Sequence, residues 1–303
     1  KEGEPQHNSG SAQRRLRKSR YDSVDSYLTT REWNDVPLEM NERVRQRLLE
    51  SGVDALLAEH MAHLFVRDPL VIFSENINLD DTRSMDHFEN IQSTNWQTMR
   101  FKPPPHGGHT GWRVEFRSME IQLTDCENAA FCIFLVLLSR VIMTMPVDFG
   151  MPISLVDVNM QRAQRRDAIH SQRFHFRSSR HTSQTQEYTL ADIFHGSPGD
   201  NTMPGLLPLV HSYLDSLNMS ETERQRLNRY LDLVAMRVDG RLMSTATYIR
   251  QFVQQHPAYR RDSVVSDEIN YDLLCTLDRI ERGECEVHDF MPAWFAAYRR
   301  ERK

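Results

Sequence analysis

The most constraining feature of the chain is a short segment in which apolar and charged residues alternate, from Trp112 to Arg117. This period of two is typical of a half-buried β-strand, because successive side chains of a strand point to opposite faces of the sheet. The segment therefore predicts a strand with one charged face, formed by Arg113, Glu115 and Arg117.

The charged face has two interpretations. Glu115 offers a hard carboxylate that suits Mg²⁺, and Arg117 offers a planar guanidinium that can hold a substrate carboxylate or a phosphate. The same side chains would also form an ion-pair ladder on a solvated sheet face, since charged strand faces often meet only water. The segment by itself leaves both interpretations open.

A long apolar helix is expected after this strand. Thr124 and Glu127 have the spacing of a capping box, which begins a helix, and the ten residues 129–138 are all apolar. Ten apolar residues are too few to cross a bilayer, which takes about 20. We therefore expect a core helix and no membrane contact, with Val114 and Phe116 packed against it.

Composition and missing motifs exclude several classes of protein. A net charge of −5 argues against general nucleic-acid binding. The four cysteines contain no Cys-x-x-Cys pair, which excludes zinc-ribbon and thioredoxin-like sites and favours free thiols in a reducing cytoplasm. No P-loop or dinucleotide-binding glycine motif is present, so any use of ATP must rest on another arrangement.

Periodicity predicts an α+β fold in four segments. Residues 1–20 are expected to be a loop at a truncated N-terminus, 21–177 a sheet-and-helix domain, 178–186 a polar linker and 187–303 a helical region. The sheet is expected to include a further strand at 173–177. The expected helices of the last region are 204–217, 220–238, 244–255 and 267–282.

Two further helices are expected between residues 40 and 66, and the second carries His60 and His63 one turn apart. Such a pair can share a metal ion, but the order of residues differs from the His-Glu-x-x-His motif of zinc proteases. We expect instead a structural role, in packing or hydrogen bonding beneath the site.

Long runs of this sequence, rather than short motifs, carry a family resemblance. The runs are 18–23, 58–65, 67–70, 90–105, 111–117, 119–125, 127–130, 204–208 and 262–271. They closely resemble the C-terminal half of the catalytic subunit of eukaryotic glutamate–cysteine ligases. The resemblance implies a glutamine synthetase-like antiparallel sheet flanked by helices and followed by a mainly helical region. It also implies a fragment that lacks the half carrying most metal- and nucleotide-binding carboxylates.

The resemblance further implies an ATP-dependent ligase that joins the γ-carboxylate of L-glutamate to L-cysteine through γ-glutamyl phosphate, the first step of glutathione synthesis. Arg117 matches a catalytic arginine that contacts glutamate and the transferred phosphate, and Glu115 matches a Mg²⁺ ligand. Trp96 and Tyr21 match aromatic positions at the cysteine pocket, and Arg113 is a further substrate-binding candidate. The resemblance implies Mg²⁺ as the cofactor and ATP as a co-substrate. It also implies a smaller modifier subunit as a further partner and the cytoplasm as the location of the enzyme.

Two alternatives to the ligase remain open. The chain alone would be a non-catalytic binding or interaction fragment if the missing carboxylates are indispensable. A different ATP-dependent carboxylate–amine ligase would use the same sheet with another amine in the aromatic pocket. Sequence upstream of Lys1 would distinguish these alternatives.

Overall fold

A computed structural model describes most of the chain. The described residues are 18, 22–29, 32–66, 68–69, 71–95, 97–102, 104–105, 108–117, 119–179, 182–197 and 204–300. They divide into two compact units, the first from residues 1–118 and 150–164 and the second from 119–149 and 165–303. The four-part division expected from the sequence stays a prediction.

Among the described residues, helices dominate both units and four short strands form two small antiparallel sheets, so the fold is broadly α+β. The helices are α1 Glu42–Glu50, α2 Ala55–Leu64, α3 Asp86–Asn95, α4 Asp125–Thr144, α5 Ile153–Ala163, α6 Ala168–Ser171, α7 Leu190–His195, α8 Leu206–Asp215, α9 Glu221–Val238, α10 Thr245–Gln255, α11 Asp267–Glu281 and α12 Ala293–Arg300, with one 3₁₀ turn at Ser74–Asn76. The strands are β1 Met99–Lys102, β2 Arg113–Phe116, β3 Phe174–Arg177 and β4 Thr185–Tyr188.

In the first unit, α5 anchors the segment that precedes α1. Lys18 is buried and its Nζ lies 2.7 Å from the carboxylate of Asp157 on α5. Ser23 also donates a hydrogen bond to Asp157, and the backbone N–H of Ile153 donates to the carbonyl of Trp33 at 3.0 Å. Because a buried ammonium must be paired, Lys18 and Asp157 fix one end of this segment against the helix.

The core of the second unit forms around α4, α8 and α9. The capping box expected at Thr124 and Glu127 is present and begins α4. Glu127 is fully buried and also forms a 2.5 Å ion pair with Arg237 of α9. One carboxylate therefore caps α4 and ties it to α9, so that the apolar sides of these helices meet.

The helix α4 confirms part of the expectation for the apolar segment. Ala130, Phe134 and Val141 are buried in the core of the second unit, whereas Val136 and Met143 are exposed. By length and composition alone, α4 is long and apolar enough to cross a membrane. A core helix of this length passes the same test, and the packing of the buried side of α4 against α8 and α9 favours the core-helix interpretation.

The helices expected in the second unit are confirmed, whereas one strand of that unit and its pairing were not predicted. The helices expected at 204–217, 220–238, 244–255 and 267–282 are confirmed as α8 to α11, with ends within a few residues. The strand expected at 173–177 is confirmed as β3, but it pairs with β4 and not with β2. The partner β4 was missed because its Thr-Gln-Glu-Tyr sequence has no apolar alternation.

Candidate active site on a charged strand face

The strand expected around Glu115 is confirmed as β2. It pairs with β1 in antiparallel register, which places Glu115 opposite Arg100 and Arg113 opposite Lys102. The backbone N–H of Arg117 donates to the carbonyl of Thr98 at 2.7 Å and continues the ladder beyond β2. Directly opposed residues of an antiparallel pair share a face, so Arg100 and Lys102 join the three predicted charged residues.

Glu115 lies at the centre of this charged face. Its Oε1 accepts a hydrogen bond from Arg117 Nε at 2.8 Å, and its Oε2 lies 3.3 Å from both Arg100 Nη2 and Lys102 Nζ. Partial burial raises the pKa of the Glu115 carboxyl, but the hydrogen bond from Arg117 and the positive charges of Arg100 and Lys102 outweigh it and hold that pKa below its ordinary value. Glu115 is therefore held as a carboxylate.

Within the first unit, the charged face of β2 is the more covered of its two faces. Arg100 is buried under α3, where its guanidinium donates to Ser93 at 2.6 Å and approaches Glu89. Val114 and Phe116 are 47% and 63% exposed, and the expectation that they are packed against the apolar helix α4, which belongs to the second unit, stays a prediction. The charged face is the more covered one because α3 supplies polar partners for it.

The other substrate-binding candidates are the two aromatic residues assigned to the cysteine pocket and Arg113. Tyr21 and Trp96 lie outside the described residues, and Arg113 lies on the charged face of β2. Gln97, the neighbour of Trp96, accepts a hydrogen bond from the backbone N–H of Asp25 at 2.9 Å and donates one back to the Asp25 carboxylate at 2.5 Å. This reciprocal pair joins the segment that follows Tyr21 to the segment that follows Trp96.

A buried histidine completes this link, and the sequence did not reveal it as a partner of Asp25. His63 Nε2 lies 2.9 Å from the Asp25 carboxylate, and His63 Nδ1 lies 2.7 Å from the carbonyl oxygen of Glu39. Burial lowers the pKa of His63, but the hydrogen bond and charge of Asp25 and the carbonyl of Glu39 raise it above its ordinary value. The expected structural role of His63 fits this geometry.

A cavity of about 220 Å³ lies beside this link. Its polar lining includes His60, His63, Gln97 and Arg100, and its apolar lining includes Leu64 and Met99. Burial, with the positive charge of His63 nearby, lowers the pKa of His60 to about 4. His60 is therefore a neutral imidazole at neutral pH, one turn before His63 on α2, whose pKa is shifted in the opposite direction.

The described residues do not by themselves form a magnesium site. They contain no group of three or more histidine, cysteine, aspartate or glutamate side chains that could hold a metal ion. Both oxygens of Glu115 already contact cationic side chains, whereas Mg²⁺ requires near-octahedral oxygen ligation. Any metal that Glu115 binds would need ligands from elsewhere.

Comparison with known proteins identifies the family. A family model for glutamate–cysteine ligase matches residues 1–280. The glutamate–cysteine ligase catalytic subunit of Mus musculus is 46% identical over 303 residues, which cover 93% of this chain and 47% of the mouse protein.

Fungal relatives give the same result. Glutamate–cysteine ligase of Schizosaccharomyces pombe is 48% identical over 280 residues, covering 88% of this chain and 42% of that enzyme. The Saccharomyces cerevisiae enzyme is 40% identical over 314 residues, covering 94% of this chain and 46% of its own length. The chain thus spans about half the length of the curated relatives it matches, and on these matches it belongs to the glutamate–cysteine ligase family.

Proposed function

We propose that the chain supplies part of the active site of a glutamate–cysteine ligase, which joins the γ-carboxylate of L-glutamate to the amine of L-cysteine at the expense of ATP. The observation that carries this proposal is the charged face of β2, where Glu115 and Arg117 lie together in a segment matched to the family. A strand fixes the separation of its side chains, as a catalytic site requires.

The chemistry explains why such a face is useful. A carboxylate is a poor acyl donor because oxide is a poor leaving group. Transfer of the γ-phosphoryl group of ATP to the γ-carboxylate gives γ-glutamyl phosphate, in which phosphate is a good leaving group. That transfer brings two anions together. Arg117 is the candidate that neutralises them, because its fork can bridge a carboxylate oxygen and a phosphate oxygen. Its side chain is 44% exposed and therefore accessible to a substrate.

The amine pocket is the less direct part of the proposal. We assign Tyr21 and Trp96 to the walls of the cysteine pocket and Arg113 to substrate binding, on the family match alone. The hydrogen bonds between Asp25 and Gln97 support this assignment, because they join the two segments that carry the aromatic residues.

Mg²⁺ would supply further positive charge that neutralises the phosphates of ATP. Glu115 is its candidate ligand in this chain, and the remaining ligands would come from outside the described residues. A glutamine synthetase-like parent sheet, a modifier subunit and a cytoplasmic location belong to the same proposal and rest on the family resemblance.

The proposal is tested in a chimera in which this chain replaces the matching part of the mouse catalytic subunit. With ¹⁸O in the γ-carboxylate of glutamate, γ-glutamyl phosphate formation transfers one ¹⁸O atom to inorganic phosphate for each peptide bond made. Cysteine should be preferred over serine and alanine as the amine. Unlabelled phosphate would contradict the acyl-phosphate route, and preference for another amine would favour the different ligase considered above.

A further inference from the structure

A buried lysine closes the segment that contains Tyr21. The Nζ atom of Lys18 donates to the Ser23 hydroxyl at 2.8 Å and to the Val24 carbonyl at 3.0 Å. The same ammonium pairs with Asp157 of α5 at 2.7 Å, and the lysine side chain is only 7% exposed. Tyr21 stands between Lys18 and Ser23 in the sequence, so these contacts fix both ends of the segment that contains it.

Asp25 joins the C-terminal end of this segment to two other elements. Its Oδ2 accepts a hydrogen bond from Gln97 Nε2 at 2.5 Å, and its backbone N–H donates to Gln97 Oε1 at 2.9 Å. His63 Nε2 of α2 lies 2.9 Å from the same carboxylate oxygen. Gln97 is buried and follows Trp96 directly. Asp25 therefore links the Tyr21 segment both to α2 and to the residue next to Trp96.

The two bonds between Asp25 and Gln97 fix an orientation as well as a distance. One hydrogen bond leaves its two groups free to turn about the bond, whereas a pair of bonds between the same two groups adds geometric specificity. Consecutive Cα atoms are about 3.8 Å apart, so an orientation imposed on Gln97 is passed to the backbone of Trp96. Such second contacts are what keep a binding group in its productive geometry.

We propose that Asp25 and Gln97 are positioning residues for the amine substrate, and that their reciprocal hydrogen bonds set the separation of the Tyr21 segment and Trp96 that the cysteine pocket requires. This role rests on the proposed function, which assigns Tyr21 and Trp96 to that pocket. In it neither Asp25 nor Gln97 contacts the substrate. His63 supports the pair from α2.

The Michaelis constants of the mouse chimera for its three substrates test this role. Gln97→Leu keeps most of the bulk of the side chain and removes both hydrogen bonds. We expect KM for cysteine to rise on the order of tenfold, while KM for glutamate and KM for ATP stay unchanged, because only the amine pocket is disturbed. Circular dichroism and the thermal unfolding midpoint verify that each variant is folded.

Asn34→Leu is the matched control. Asn34 also holds its partner by two hydrogen bonds, one accepted from the Tyr27 backbone N–H at 2.8 Å and one donated to the Tyr27 carbonyl at 3.1 Å. It lies in the same unit but is not bonded to the residue next to Trp96. Its loss should leave KM for cysteine unchanged, which separates positioning of the pocket from a general loss of stability.

A double variant provides the rescue. In Gln97→Glu alone, two carboxylates face each other, and KM for cysteine should rise as it does in Gln97→Leu. Asp25→Asn/Gln97→Glu exchanges donor and acceptor: the new amide at position 25 can donate to the new carboxylate at position 97 and to Nε2 of a neutral His63. The backbone N–H at position 25 keeps its acceptor. Most of the loss in cysteine affinity should therefore be recovered.

Amide hydrogen exchange of residues 1–303, measured by NMR, provides a readout that needs no catalysis. The backbone N–H of residue 25 should be protected in the unmodified chain and in the double variant, and should exchange faster in Gln97→Leu. Should Gln97→Leu fail to fold, Gln97→Glu and the double variant carry both measurements.

Four results would overturn the positioning role: an unprotected Asp25 N–H in the unmodified chain, an unchanged KM for cysteine in Gln97→Leu, an equal rise in all three Michaelis constants, or no recovery in the double variant. The same rise in Asn34→Leu would overturn it as well. Each of these leaves the ligase proposal standing if the unmodified chimera is active. An unmodified chimera that forms no γ-glutamylcysteine would contradict the ligase proposal itself, and the positioning role would fall with it.

Discussion

His63 and Asp25 form a largely buried hydrogen bond in the first unit, with 2.9 Å between His63 Nε2 and the carboxylate. The other ring nitrogen faces the Glu39 carbonyl. Both partners are hydrogen-bond acceptors, so the ring satisfies both only when it carries two protons. His60 lies one turn earlier on α2, and its pKa is shifted in the opposite direction.

The two histidines should therefore give opposite pH dependences of stability. The pKa of His63 is raised in the folded chain, so its contribution is complete below the ordinary value of 6.5 and is lost as the pH rises through the raised value. The pKa of His60 is lowered to about 4, so its contribution is present above 6.5 and is lost as the pH falls towards 4.

Histidine-detected NMR titration of the chain measures both pKa values. We expect one buried ring that stays neutral to about pH 4 and one that titrates above its ordinary range, the latter returning towards that range in Asp25→Asn. A low pKa at His63, or no response to Asp25→Asn, would show that the pair is a neutral hydrogen bond.

Removal of Glu127 should be strongly destabilising, because the same carboxylate caps α4 and neutralises the buried Arg237. Glu127→Ala leaves that guanidinium without its partner, and we expect a loss of about 3–5 kcal/mol in the free energy of unfolding. Urea denaturation measures it. The double variant Glu127→Leu/Arg237→Met should recover most of the loss, since no unpaired buried charge remains. A double variant as unstable as Glu127→Ala would mean that the cap is the dominant contribution.

Arg117→Lys should lower turnover in the mouse chimera by about 10²-fold while the fold stays intact. Lysine keeps the charge but loses the planar fork that bridges two oxygens. Steady-state kinetics with glutamate as the varied substrate measures the effect. Arg282→Lys, at an exposed arginine paired with Asp278, is the control. Near-normal turnover with normal affinity for glutamate would identify Arg117 as a surface charge.

Local sequence patterns determine more of the fold than of the site. Thr124 with Glu127 revealed the start of α4, because a capping box is a contact between residues three apart. The alternation in β2 revealed which side chains share a face. It did not reveal which face is covered, since that depends on Glu89 and Ser93 of α3.

The site contacts that the sequence did not predict join residues far apart in the chain or on different strands. His63 and Asp25 are 38 residues apart and meet only after α2 and the preceding segment have packed together. Arg100 and Lys102 alternate in β1 just as the charged residues do in β2, and that period was the signal that could have placed them on the same face. Pairing register, which the sequence of one strand does not specify, was the missing information.

Residues 1–303 alone should have no measurable ligase activity. The described part of the chain contains no cluster of carboxylates for the metal ions that neutralise a nucleotide, and the exposed Val114 and Phe116 leave one face of β2 uncovered. The assay is γ-glutamylcysteine formation from ATP, glutamate and cysteine, with Arg117→Ala as a control for contaminating enzyme. Activity that disappears in Arg117→Ala would show that this chain holds a complete site.

γ-Glutamylcysteine formation by the mouse chimera tests whether Arg117 on β2 serves the active site of a glutamate–cysteine ligase. The unmodified chimera should form the dipeptide with ATP, glutamate and cysteine, and Arg117→Ala should abolish it while leaving the thermal unfolding midpoint unchanged. A chimera that folds without forming the dipeptide, or one whose activity survives Arg117→Ala, would contradict this role of Arg117.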